Sequence, residues 1–347
     1  GVAGLEFRDE AETVNALVPE LKAKGVEAIV VLIHEGGFPT GDYDECPGIS
    51  GPIVDIVKRL DKAVDLVVSG HTHKAYACLI DGRLVTSGDK FGTIVTEIGV
   101  TIDRTSRDVI ATRAHNLIVR ADALAKDPEQ TALISAYEKV AAPLIERPVG
   151  RLDAALPKLE TPSGEFPLGN LVADAQLAAT RDAAKGGAVI AFTNTGGIRT
   201  DLVAHGAGGT LTYGDVFAVQ PFSNMLVTMT LTGAQLHRLL EQQWAGQPKP
   251  RVLQVSAGFG YRWEASAPVG ERVDTATMRL DGRPIEATAL YRVTVNEFLA
   301  DGGDGFTVLR EGVDRVTGGY DVEALEAHIA AAGTVVAPAV GRIARGE

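Results

Sequence analysis

Residues 26–34 read VEAIVVLIH and residues 64–73 read VDLVVSGHTH. Each is a β-branched apolar run that closes on histidine, the pattern of a strand buried on both faces. Before the first run, Val14, Leu17, Val18 and Leu21 recur at helical spacing within residues 9–24, and Gly25 follows as a C-terminal stop. A short helix near 52–60, PIVDIVKRL, precedes the second. Helix, strand, helix, strand predicts an α/β (α+β) architecture. In open sheets of that kind ligands bind beyond the carboxyl ends of the strands, where His34, His71 and His73 fall.

At 347 residues and 45% apolar content, the chain exceeds one comfortable core and predicts two domains. After the second run the character changes to alternating strands, in RLVTSG, GTIVTEIGVTID and SRDVIATRAHNLIV. Residues 126–146 read as one long helix that starts at Asp127-Pro128, and a fresh α/β pattern follows, with helices at 169–184 and 232–245. We therefore expect a first domain over 1–119, a linker helix over 120–148 and a second domain over 149–347.

The net charge of −12 argues against a nucleic-acid polymer as partner. No apolar run approaches the roughly 20 residues that span a bilayer. Gly1 in GVAGLEFRDE is neither a translational start nor part of a signal peptide, so residues upstream are expected. Two cysteines, Cys46 and Cys78, do not make a disulfide framework. Their places beside the loops that bracket the histidines favour one bridge and an oxidising compartment over two separate thiols.

Neutral imidazoles at His71 and His73 suit Zn, Mn or Co, with Gly70 supplying a sharp turn that sends the two rings toward different ions. By spacing alone they are equally surface histidines; His34 at the neighbouring strand end tips the balance toward a shared site. In NTGGIR, Asn194 to Arg199, Gly196 and Gly197 let backbone N–H groups approach an anion and Arg199 can clamp phosphate oxygens. The same residues also describe a tight turn with a surface arginine. Phe222 and Phe298 occupy loop-like contexts, either as rings that sandwich a base or as core residues.

The segments VVLIHEGG and SGHTHKAY, followed in order by LGNLVADA, AFTNTGGIR, GDVFAVQPFSNMLV and VNEFLADGGDGF, resemble the bacterial 5'-nucleotidase and 2',3'-cyclic nucleotide phosphodiesterase family across essentially the whole chain. The resemblance implies the C-terminal part of a calcineurin-like metallophosphatase β-sandwich, a linker helix and a complete nucleotide-binding domain. It implies that His34, His71 and His73 are ligands of a dinuclear centre of two divalent ions. It further implies that Phe222 and Phe298 clamp the base, and that Asp304 accepts from ribose hydroxyls while Gly302 and Gly303 let the backbone come close.

The family's upstream D-x-H and Asn-His motifs occur nowhere in these residues, so no residue of this chain is assigned as catalytic. The chain is expected to be an inactive fragment, with the other half of the catalytic domain as its partner. Two divalent ions are expected in the intact protein and need not be bound by this piece alone. A phosphate-binding arginine that the family often carries before GNL is replaced by Glu165 in TPSGEFPLGNL. The expected activity is hydrolysis of nucleotide phosphate esters by a periplasmic or secreted protein, with closure of one domain on the other. The alternative is a non-catalytic nucleoside-binding or interaction module.

Overall fold

A computed structural model of the chain describes residues 4–247 and 249–346. It divides into two compact units, one ending at Pro128 and the other beginning at Glu129. No helix among the described residues is long and apolar enough to cross a membrane.

The first unit opens with α1 (Glu10–Ala23), capped by Asp9, whose carboxylate accepts from the Glu12 N–H at 2.9 Å. Then come β1 (Val30–Leu32), α2 (Pro52–Arg59), β2 (Leu66–Val68), β3 (Ala75–Ile80), β4 (Arg83–Gly88), β5 (Ile94–Ile102) and β6 (Val109–Ile118). The first four strands form a sheet of order β1-β2-β4-β3, and β5 and β6 pair as a separate hairpin. α1 and α2 supply Val18, Ile53 and Val57 to a core that also holds Val67, Tyr76 and Val85.

Among the described residues the run VEAIVVLIH forms a short strand covered on one face. Only three of its residues pair, and β1 lies at the sheet edge with Val30 49% and Leu32 77% exposed. Val31 packs against the helical core, so strand alternation sends Val30 and Leu32 out of the opposite face. Within the described residues only the face that carries Val31 is covered.

Two devices fasten this unit. A Cys46–Cys78 disulfide ties the loop before α2 to β3. The buried Arg83 guanidinium donates to the carbonyls of Val64 (2.5 Å), Val57 (2.8 Å) and Asp61 (2.7 Å), satisfying oxygens at and beyond the end of α2. Burial pushes its pKa below the usual arginine value.

Pro128 opens α3 (Pro128–Ile145), none of whose residues is buried. The second unit continues through β7 (Pro148–Leu152), α4 (Pro167–Thr180), β8 (Ile190–Thr193), β9 (Thr210–Thr212), α5 (Tyr213–Val219), β10 (Met225–Thr232) and α6 (Gly233–Glu241). Next are β11 (Gln254–Val255), β12 (Phe259–Glu264), β13 (Val273–Leu280), β14 (Arg283–Pro284), β15 (Leu290–Asn296) and α7 (Glu297–Ala300). The chain closes with β16 (Val313–Tyr320), α8 (Asp321–Ala332), β17 (Thr334–Val335) and β18 (Ile343–Gly346).

These strands make three sheets, of order β11-β8-β15-β10-β16, β14-β13-β12-β18 and β17-β7-β9. Capping boxes at Thr212 with Asp215 and at Thr232 with Gln235 start α5 and α6. One core joins β8, β10, β15 and α6 and includes Trp244 and Trp263, whose ring centroids are 4.9 Å apart. A second joins α4, α8 and β7. The architecture is α/β, as the strand–helix pattern predicts.

Candidate functional site

In the first unit, β1 and β2 run parallel in the register Val30↔Leu66 to Leu32↔Val68, so the loops that follow them leave the same sheet edge. The Gly70 N–H donates to the Glu35 carbonyl (3.0 Å) and the Thr72 hydroxyl to the Gly37 carbonyl (2.8 Å). A Cβ at Gly36 would collide with the Gly70 carbonyl oxygen, so only glycine permits this approach. Beneath the loops Tyr76 is fully buried; it accepts from the Gly37 N–H (3.1 Å) and meets Ser69 Oγ at 2.6 Å, which in turn donates to the Thr86 carbonyl (2.7 Å). Burial raises the Tyr76 pKa above that of an ordinary phenol, and the side chain is scaffold, not site lining.

This stitching brings His34 Nε2 to 3.2 Å from His71 Nδ1, with ring centroids 5.0 Å apart. Two imidazole nitrogens bound to one tetrahedral ion at ~2.0–2.1 Å stand ~3.3 Å apart. The pair therefore has the bite of a chelate, and equally of an N–H···N hydrogen bond. His73 does not join it; its ring lies edge-on to Phe91, centroids 5.7 Å apart. Among the described residues no three His, Cys, Asp or Glu side chains converge as a metal cluster. The histidines present thus fit a two-ligand clasp and do not fit a complete centre. The expected role of Gly70 is also corrected: the left-handed turns fall on His71 (φ 64°) and His73 (φ 54°), while a Cβ at Gly70 would touch nothing within 4 Å. Strain of this kind on non-glycine residues persists only where neighbours hold the backbone, as Glu35 and Gly37 do here.

In the second unit β8 and β15 are parallel neighbours, and Asn194 and Asn296 stand at their carboxyl ends. Asn296 caps α7 through the Leu299 N–H (2.9 Å) and donates its own amide to Asn194 Oδ1 (3.0 Å). Asn194 Nδ2 then donates to Asp304 Oδ2 at 2.7 Å. Gly196 and Gly197 run alongside this pair of side chains. Arg251 forms an ion pair with the other carboxylate oxygen of Asp304, and Gln247 Nε2 donates to the Asp304 backbone carbonyl (2.7 Å). The NTGG and ADGGDG loops are thereby locked together.

Arg199 donates to the Gly196 carbonyl (3.1 Å) and lays its guanidinium over the Phe222 ring, 5.3 Å from the centroid. Phe222 and Phe298 are 54% and 46% exposed, so neither is a core residue. Phe222 is aimed by its loop: Asn224 donates to Asp321 Oδ2 (3.1 Å) and the Asp321 N–H donates back to the Asn224 carbonyl (2.9 Å). The Phe298 ring packs against Gly303, where a Cβ would come within 2.6 Å of its Cε1 and Cζ atoms. Phe298 thus lies beside Gly303 and Arg310 beside Gly302, where side chains on those residues would collide with them.

Glu165 is 1% exposed and accepts from Asn170 Nδ2 (2.7 Å) and from the N–H groups of Gly341 (2.8 Å), Arg342 (3.1 Å) and Ile343 (3.1 Å). Its carboxylate anchors the C-terminal strand. Sequence reading missed Arg251, Gln247 and Asn296. Asn296 stands inside the motif VNEFLADGGDGF and its N-cap position was the available signal; nothing around Arg251 in KPRVLQ marks it.

Residues 148–311 match the model of the 5'-nucleotidase C-terminal domain. The crystal structure of a 5'-nucleotidase precursor from Thermus thermophilus is 31% identical, with a TM-score of 0.74 over 98% of this chain and 68% of that one. Endonuclease YhcR of Bacillus subtilis is 31% identical over 93% of this chain and 25% of its own length. The trifunctional nucleotide phosphoesterase protein YfkN of the same organism is 29% identical over 97% of this chain and 22% of its own length. The chain thus spans a quarter or less of those two relatives.

Proposed function

Because this chain belongs to the 5'-nucleotidase family, we propose that it serves the hydrolysis of nucleotide phosphate esters and that residues 149–347 supply the nucleotide site, joined through a linker over 120–148 to residues 1–119. The observation that carries the reading is the Asn194–Asp304 bond, a fixed polar floor in the same unit as two half-exposed phenyl rings and a surface arginine. A polar anchor with exposed apolar plates is what a nucleoside requires.

In this reading Phe222 and Phe298 stack on the base, a contact that tolerates any base. Asp304 accepts from the ribose hydroxyls, and Arg199, already poised over Phe222, swings its guanidinium onto phosphate oxygens. Gly196 and Gly197 keep side chains out of the anion's approach. His34 and His71 are the side chains that would hold one divalent ion, Zn, Mn or Co, and His73, on the other side of the turn, would serve the second. Such ions, when bound, polarise the phosphoryl group and supply a nucleophilic oxygen.

The chain by itself is proposed to bind nucleotide without turning it over, since the described residues offer only the His34–His71 pair. The Cys46–Cys78 bridge supports a location outside the reducing cytosol, in the periplasm or beyond. A second reading, a nucleoside-binding module with no chemistry, is favoured by the same sparse ligand set.

Calorimetry with adenosine and AMP, beside a phosphatase assay with added Zn and Mn, tests both. Binding lost in the Phe222→Ala, Phe298→Ala double variant supports the site; unchanged affinity removes it. Turnover by the unmodified chain contradicts the non-catalytic part of the proposal.

A further inference from the structure

Asp304 is held more tightly than a simple hydrogen-bond acceptor needs. Its backbone sits in the left-handed region at φ 55°, a conformation aspartate tolerates but which surrounding contacts must maintain. Gln247 fixes its carbonyl, Asn194 occupies one lone pair of Oδ2, and Arg251 occupies one of Oδ1. A carboxylate offers about four lone-pair sites, so one remains on each oxygen. Two adjacent acceptors on one plane match the two hydroxyls of a cis vicinal diol.

Arg251 differs from the structural arginines of this chain. Arg83 fills its guanidinium with three carbonyls, and Arg342 pairs both Nη atoms with Asp174 at 2.7 and 2.8 Å. Arg251 instead leaves a buried Nε without a hydrogen-bond partner among the described residues while Nη1 engages Asp304. The pairing also offsets the Asp304 charge, which would otherwise repel a phosphate-bearing ligand in the same site.

We infer that Arg251 is a positioning residue that orients the Asp304 carboxylate toward a ribose 2',3'-diol, and so sets a preference for ribonucleosides over 2'-deoxyribonucleosides. The inference rests on the nucleotide-site reading above.

Calorimetry on the full chain with adenosine and 2'-deoxyadenosine tests it, using the unmodified protein, Arg251→Met and Arg251→Lys. The unmodified protein should prefer adenosine. Arg251→Met should lower adenosine affinity about tenfold, the effect of one misdirected hydrogen bond, and change 2'-deoxyadenosine affinity less than about twofold. Arg251→Lys, which keeps a cation beside Asp304, should recover part of the preference and a wild-type melting temperature even where the methionine variant folds poorly. Equal losses for both ligands, or an unchanged ratio, would overturn the assignment of Arg251 while leaving the nucleotide site standing. Equal affinity of the unmodified protein for the two nucleosides would overturn the diol reading. No binding of either would overturn the site itself and the inference with it.

Discussion

Asn194 and Asp304, 110 positions apart in sequence, meet in a 2.7 Å hydrogen bond that joins the turn after β8 to the turn after α7. Asn194 also accepts from Asn296, so one amide bridges both loops. Replacing it strands two buried or half-buried partners at once, and the cost of each unpaired group is about 1–3 kcal/mol. Asn194→Ala should lower the unfolding free energy by about 2–6 kcal/mol on that basis, measured by urea titration, and should weaken adenosine binding. A variant as stable as the parent would show that the loops are fixed by other contacts.

Glu165 stands where a phosphate-binding arginine was expected, and its carboxylate is fully used by Asn170 and three backbone N–H groups. Glu165→Arg should therefore destabilise the second unit, because it buries a cation against donors. It should not raise AMP affinity. Hydrogen exchange at residues 341–346 should accelerate, and faster exchange confined to other segments would contradict the anchoring role.

His34 and His71 face each other across a chelate-like gap, and His73 faces Phe91. In a Zn titration of the isolated chain followed by calorimetry, His34→Ala and His71→Ala should each abolish the uptake that the parent shows. His73→Ala should leave it within about twofold, since loss of one of the two paired donors is decisive and His73 lies outside that pair. Equal effects of all three substitutions would mean that His73 swings in.

The Cys46–Cys78 bridge closes a loop across a sequence separation of 32. Loop-closure entropy for a ring of that size corresponds to about 3–4 kcal/mol. Reduction, or replacement of both cysteines by alanine, should lower the melting temperature of the first unit, read by the near-ultraviolet signal of its tyrosines. No shift would place the stabilisation elsewhere.

Asp321 is buried at the start of α8, and desolvation raises its pKa above 3.8, outweighing the donors from Asn224 and Val322. A carboxyl whose folded value is raised contributes stability below the unfolded value, and that contribution is lost as pH rises through the folded value. Subtracting the stability curve of Asp321→Asn from that of the parent should therefore give a difference that falls with pH from about 4 upward. A difference that rises over that window would reverse the sign of the burial argument.

The α/β grammar was legible because β-branched runs and helical spacings are local signals. What the local signal could not carry was coverage: VEAIVVLIH announces an apolar strand, but whether a second layer covers Val30 and Leu32 depends on elements far away in sequence. Site residues followed the same division. His34 and His71, or Asn194 and Asp304, stood out because strand ends and glycine-rich turns are visible in one dimension. Arg251 did not, since its meaning arises from the fold that carries it to Asp304. Gly70 misled for a related reason: glycine permits a left-handed turn without requiring one, and the turns fell on the histidines.

One consequence of the strand pairing reaches beyond the site. Residues of β7, at the head of the second unit, pair with β17 (Thr334↔Arg151, Val335↔Leu152), and Glu165 grips the strand that follows. The first strand of the unit and the segment after α8 are thus sewn to each other. A segment closed this way behaves as a cassette: it can be spliced into a much longer polypeptide, or circularly permuted, without reopening its core. That suits a module whose relatives extend to several times its span.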